Sequence, residues 1–419
     1  MSELDLGLKV ASRRLMWRMG FSTRVDVPLR TTVPRQGSGR ERHETFTDLD
    51  VLGFTMVSGF AVRAIIADCK TSQRGSTERM FWIRGVADFF AADDAWMVRS
   101  SAVTGASRQL SARLGISVLE PADLAALEGY HPSDLTLNSG PLGILFDQET
   151  VSAHMKGLTS QDKKLDALVE YRQFDYWAYE EFRNLMQVPA HLTGVGQILD
   201  PSQPAHRALF YDCAWLYTLS LARAASHVRA VHATDVDTSL QAYLFGGHDG
   251  LLEKQRLAKV LSRLAPAGAT SRADAADGVL PPWYPQLLEL LTRHLRRPHS
   301  VNAQLRFLEW LSEAQQAKVT TTVDQAFGNN CDDLAAKLAA DTCGFLITAC
   351  GLDRQFRVLA RAALNQPQGQ STNTHEMPRA DALDPVGAIP QGEGVSMSDE
   401  GEPESKAAPG DPQLPLPPG

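Results

Sequence analysis

The 419-residue sequence has no Cys-x-x-Cys pair; its five cysteines, Cys69, Cys213, Cys331, Cys343 and Cys350, are scattered along the chain. That spacing excludes a zinc ribbon and a disulfide framework, and fits reduced thiols in a cytoplasmic protein. Cys343 and Cys350, seven apart, read as small buried hydrophobes. His191, His206, His227, His232, His248 and His294 form no i, i+4 pair, so no zinc site is expected. The densest apolar run, Ala208 to Ala222, is interrupted by Asp212, which argues against a membrane span. The N-terminus lacks the short apolar core of a secretory signal. No internal repeat is present.

Aromatic residues are missing altogether from Gln366 onward, where Pro, Gly, Ser and acids dominate. Such a segment cannot bury a core, so residues 366–419 are expected to be a disordered acidic tail. Nine acids there face only Arg379 and Lys406, so the tail carries −7 of the net charge of −8. The first 45 residues are the opposite, with nine Lys/Arg against five acids. A basic segment of this kind suits a phosphate-binding surface.

Between these extremes lies an alternating pattern. Thr47 to Val57 and Phe60 to Lys70 both alternate polar and apolar residues, and Ser58-Gly59 between them supplies a turn signal. The two runs read as a β-hairpin. The second ends in Asp68-Cys69-Lys70, and side chains two apart on a strand share a face, so Asp68 and Lys70 point the same way. Asp48 and Asp50 begin the first run, and the hairpin brings them to the same end. Two carboxylates and an ammonium gathered at one edge of a sheet are costly to bury without a purpose. A divalent metal with a water beside it, the chemistry that cuts phosphodiesters, is the simplest one.

Downstream, Thr77 to Phe90 reads as a helix, Ala95 to Ser100 as a strand and Ser101 to Leu114 as a second helix. Ile116 to Leu119 reads as a short strand, reached through Leu114-Gly115-Ile116. Over residues 1–130 this order resembles the PD-(D/E)xK nuclease superfamily, and within it the Mrr-like restriction endonucleases. The matching residues are Asp50 on one strand, then an apolar strand ending in Asp68-Cys69-Lys70. The resemblance implies an α/β restriction-endonuclease-like domain with a central mixed sheet flanked by helices. It implies that Asp50, Asp68 and the Cys69 carbonyl hold Mg²⁺, with Mn²⁺ able to substitute, and that Lys70 orients or deprotonates a water. Asp48 is either a further member of the site or the bystander of its pair, Glu44 is either a further ligand or general base or a charged loop residue, and Ser72 and Gln73 stand where a phosphate would pass.

Residues 131–149 read as a linker and 150–365 as an all-α domain. Helices are expected at 162–186, 205–231, 251–264, 285–296, 301–317 and 332–364, the last broken at Gly351. Trp177, Tyr179, Phe182, Trp215 and Trp310 read as core. The basic run Arg293 to His299 suits contact with nucleic acid and a helix C-terminus equally well. The functional expectation is a metal-dependent nuclease of restriction or defence type acting on DNA rather than RNA. Because one metal site cuts one strand, a homodimer is expected, paired through the helical domain. Two rivals stand beside it: an inactive nucleic-acid-binding or assembly module, and a ligand-gated DNA or RNA nuclease of a defence system.

Overall fold

A computed structural model describes residues 3–34, 41–57, 61–71, 76–178, 180–232, 234–264 and 280–366. The acidic tail therefore lies outside the described residues from position 367 on, as do Ser72, Gln73 and Tyr179. Residues 1–369 form one compact unit.

The unit opens with α1 (Glu3–Arg18), then β1 (Ser22–Pro34), β2 (Glu41–Met56) and β3 (Val62–Lys70). Next come α2 (Ser76–Phe90), β4 (Asp94–Arg99), α3 (Gly105–Leu114), β5 (Ser117–Leu119) and α4 (Pro121–Tyr130). The strands form one mixed sheet in the order β1-β2-β3-β4-β5. The first three are antiparallel neighbours, and β3, β4 and β5 are parallel. Parallel neighbours require crossovers, which α2 and α3 supply.

Alternation along β3 splits the core in two. Ile65, Ala67 and Cys69 pack with Leu8, Leu15 and Met16 of α1 and Leu124 of α4. Ile66 belongs to the larger cluster with Met80, Ile83 and Ala87 of α2. The hairpin register follows the sequence pattern, with Val51 opposite Ala67 and Phe54 opposite Ala64. Helix α3 starts at Gly105 rather than Ser101, because the Thr104 hydroxyl caps it by accepting from Ser107 N at 3.2 Å.

Beyond α4 every described regular element is helical. The helix Pro204–His232 is the hub: Leu209, Phe210, Trp215 and Tyr217 are buried along it, and it packs on the helix Ser300–Gln316. The stretch expected as a linker contributes Leu137, Leu142, Leu145 and Phe146 to the core. The single helix expected over 162–186 is instead several short pieces, with a widened turn at Tyr171–Asp175. Asn184 pins this irregularity: its amide donates to Tyr176 O at 2.9 Å and its oxygen accepts from the Tyr171 hydroxyl at 2.9 Å. Asp333–Ala349 and Gln355–Ala363 are separate helices, divided at Gly351, whose φ of +64° suits glycine. No helix among the described residues is long and apolar enough to cross a membrane.

The sheet and the helices are joined through Glu309, which is buried. Its carboxylate accepts from Arg13 (2.7 Å), Trp17 Nε1 (3.0 Å), Ser22 Oγ (2.6 Å), Thr23 N (2.9 Å) and Thr23 Oγ1 (2.5 Å). Asn302 finishes the same seam, its amide taking Met56 N at 2.6 Å and giving to Met56 O at 2.9 Å. Those two bonds satisfy the backbone of the last β2 residue as a neighbouring strand would.

Arg13 also pairs with Glu313, one turn along from Glu309. Burial is the largest influence on Glu313, and with Arg13 shared between two acids its carboxyl is pushed up to about 7. A carboxyl with a raised folded pKa binds protons more readily folded than unfolded. Its contribution to stability is full below the unfolded value and is lost as pH rises through the folded one. The stability of the wild type relative to Glu313→Gln is therefore expected to fall between about pH 4.5 and pH 7. The comparison must be made between the two proteins, because buried His154, held neutral with its pKa down near 3, pulls the opposite way over part of that range. Urea midpoints at several pH values test this; a pH-independent difference would contradict it.

Candidate metal centre at the end of β3

The β2–β3 ladder stops at Val51 and Ala67, so the next pair in register is Asp50 and Asp68. Both are buried, 3% and 6% exposed, which is unusual for carboxylates and demands partners. Asp50 turns back into the seam where the strands part. Its Oδ2 accepts from Cys69 N at 2.7 Å, and its Oδ1 lies 2.7 Å from Lys9 Nζ of α1. Burial raises the Asp50 pKa, Lys9 opposes this, and the nearby Asp68 charge adds to the rise. For Lys9 burial disfavours the ammonium, but Asp50 and Asp26 outweigh it and raise its pKa.

Asp68 stands on the α2 side. Arg79 of α2 grips it with two nitrogens, Nε at 2.9 Å from Oδ2 and a terminal nitrogen on Oδ1. The guanidinium also lies 3.4 Å from the centre of the Trp82 ring, which fixes it from behind. Lys70, two residues on, is half-buried and has no ion pair among the described residues. Between them Cys69 faces α1, its sulfur 3.6 Å from Ser12 Oγ, and burial pushes its thiol pKa far up, as suits a packed rather than a reactive cysteine.

The structure thus brings Asp50 onto the backbone of Cys69 and sets Asp68 and Lys70 along the same strand end. It does not bring the Asp50 and Asp68 carboxylates onto one another. Among the described residues the group with metal-ligand spacing is Asp26, Asp48 and Asp50, whose oxygens lie within 4.8 Å of one another. Asp48 is exposed and Glu44 is exposed farther out on β2. Sequence reasoning left out three participants: Asp26, Lys9 and Arg79. Asp26 has a φ of +52°, and the β1–β2 ladder pairs Val25 and Val27 but skips it. That irregularity leaves no local sequence signal. Arg79 sits eleven residues past Asp68, and only the β3–α2 turn reveals its direction.

The cations of the basic N-terminal segment that the structure describes are each paired with an acid, while Arg35, Arg40 and the Arg42 side chain lie outside the described residues. Lys9 is held by Asp26 and Asp50, Arg13 by Glu309 and Glu313, and Arg14 and Arg18 by Glu128. Arg24 pairs with Asp212 and Arg30 with Glu170. Lys9 and Arg13 are neutralised inside the fold, and the other four are paired at half-buried positions. In the run at Arg293, Arg293 pairs with Glu289 and Asp341, and His294 is buried between Leu290 O and Gln304.

No protein-family model matches this chain, and neither a curated protein nor a solved structure matches it.

Proposed function

We propose that the chain is a metal-dependent nuclease that hydrolyses phosphodiester bonds, with DNA as the preferred substrate and the end of β3 as its active site. The observation that carries this reading is the seating of the Asp50 carboxylate on Cys69 N at the point where β2 leaves β3, with Asp68 next in register. In a strand the N–H and C=O of one residue point to the same neighbour, so the Cys69 carbonyl faces the Asp50 side. Asp50 and Asp68, each held by its own cation in this structure, would together with this carbonyl supply an all-oxygen donor set of the kind a hard cation such as Mg²⁺ or Mn²⁺ prefers. Lys9 and Arg79 are the counter-cations of the two carboxylates in this structure. Asp68 would hold a cation only if Arg79 released it, and Arg79 would then be free to meet a substrate phosphate. Bound Mg²⁺ would supply charge stabilisation and a more acidic water. Lys70, on the Asp68 face, would orient a water or take its proton.

The second reading, an inactive nucleic-acid-binding or assembly module, is favoured by the same ion pairs. If they are permanent, each carboxylate is already satisfied and holds no metal. One experiment separates the two: plasmid, linear DNA and RNA are incubated with the purified full-length protein in Mg²⁺, Mn²⁺ or EDTA. Cleavage of DNA with either metal and none in EDTA is the expected result. Binding of DNA without cleavage under all three conditions supports the module instead. Light scattering of the same samples tests the dimer proposed for double-strand cutting.

A further inference from the structure

A cleft of about 320 Å³ lies behind edge strand β1, where Val25, Asp26, His154, Trp177, Leu216 and Glu313 come together from strand and helices. Its walls combine flat apolar surface with charge. Arg24 and Arg172 share one buried carboxylate, Asp212. Burial alone would raise the pKa of Asp212, but the two guanidiniums hold it down to about 2. Arg13 serves Glu309 and the partly neutral Glu313, and Asp26 is already taken by Lys9. Lys156, exposed at the rim, has no ion pair among the described residues. Among the lining residues four cations, Arg13, Arg24, Lys156 and Arg172, stand beside three carboxylates, Asp26, Glu309 and Glu313.

Three polar atoms of lining residues have no hydrogen-bond partner: Arg24 Nε, His154 Nδ1 and Glu313 Oε2. They are three of the nine such buried atoms among the described residues. Buried polar atoms are normally satisfied, so a third of the exceptions at one cleft marks a place for a polar ligand. The volume is near the lower end of the roughly 300–1,000 Å³ of small-molecule sites, which favours a mononucleotide-sized occupant over a larger one.

We propose that this cleft binds a planar organic anion of the nucleoside monophosphate class, its ring system against Trp177 and its phosphate toward Arg172 and Lys156. Each part has a counterpart in the wall: the Trp177 indole, which lines the cleft while stacking on Phe54, for the ring, unpartnered donors and acceptors for its polar edge, and Arg172 with Lys156 for the phosphate. The cleft borders the candidate metal centre at Asp26, which shares Lys9 with Asp50, but its proposed ring and phosphate contacts lie on Trp177, Arg172 and Lys156, so the proposal stands whether or not the chain cuts nucleic acid.

Calorimetric titration of the full chain with AMP, GMP, adenosine and inorganic phosphate tests it. AMP or GMP is expected to bind at least about tenfold more tightly than adenosine or phosphate, since neither fragment meets both halves of the site. Lys156→Glu, which changes an exposed residue, should weaken the nucleotide about tenfold with an unchanged melting temperature. Thr159→Trp, also exposed at the rim, should do so by obstruction. Three results would overturn the proposal: no heat from either nucleotide up to about 1 mM, phosphate binding as tightly as the nucleotides, or nucleotide affinity indifferent to both variants.

Discussion

Glu309→Ala is expected to lower the stability of the protein by ~3–5 kcal/mol, the cost of leaving a buried cation and its neighbours without their acceptor. Arg13 is 2% exposed, and with the carboxylate gone Glu313 is the one acid left to it, beside the neutral acceptors Leu145 O and Thr23 Oγ1. Trp17 Nε1, Ser22 Oγ and Thr23 N lose an acceptor in the same step. Natural domains are stable by about 5–15 kcal/mol, so the loss takes a large fraction of the whole. Urea unfolding followed by tryptophan fluorescence reads this well, because Trp17 and Trp215 both lie at the seam. A shift worth less than about 1 kcal/mol, the size of one ordinary hydrogen bond, would show that the carboxylate is not the joint described here. The same geometry changes what to expect of residues 1–130 alone. Read from sequence, they should keep the site without the helices. In the structure α1 and β1 are completed by Glu309, and Arg24 is completed by Asp212, so the truncated chain is expected not to fold. A cooperative melt of residues 1–130 would refute this.

What was legible in the sequence was local. The hairpin of β2 and β3 follows from alternation, because one face of each strand is buried and a slip of one residue would turn the apolar set to solvent. The two crossovers follow from helix-length segments between short apolar strands. The placement of Asp68 and Lys70 on one face needs only the period of two. The illegible parts are those whose partners are distant in the chain. Strand β1 looks like a basic segment because its arginines find their acids in the helices: Arg24 meets Asp212 and Arg30 meets Glu170. No local pattern carries that pairing. At the candidate site the same holds for Lys9, which reaches Asp50 from α1, and for Asp26, which reaches it from an irregular point in β1. Charge counted along a sequence therefore overstated the free positive surface, since each of the described N-terminal cations is paired with an acid.

Asp50→Asn and Asp68→Asn are expected to reduce metal-dependent cleavage at least ~10²-fold, the scale on which a single electrostatic contact to the reacting group usually matters. Both are isosteric. In Asp50→Asn the new amide oxygen can still accept from Cys69 N, and Lys9 keeps Asp26, so the fold should survive with a small change in melting temperature. Lys70→Ala should cost activity on a similar scale and stability very little, since its ammonium has no ion pair among the described residues to lose. Asp48→Asn, at an exposed position, should change little. The order matters more than the sizes. If Asp48→Asn is as damaging as Asp50→Asn while Asp68→Asn is harmless, the working group is Asp26, Asp48 and Asp50, and Asp68 is merely the partner of Arg79. If Asp68→Asn and Lys70→Ala both keep full activity, the assignment of the site to the end of β3 fails. Arg79→Gln supplies a measurement that does not depend on turnover. Removing the cation that grips Asp68 should tighten Mn²⁺ binding in a direct titration, because the carboxylate no longer has to be released first. An unchanged or weaker Mn²⁺ affinity would mean that Asp68 and Arg79 are a permanent structural pair and that a metal, if one binds here, is held without Asp68.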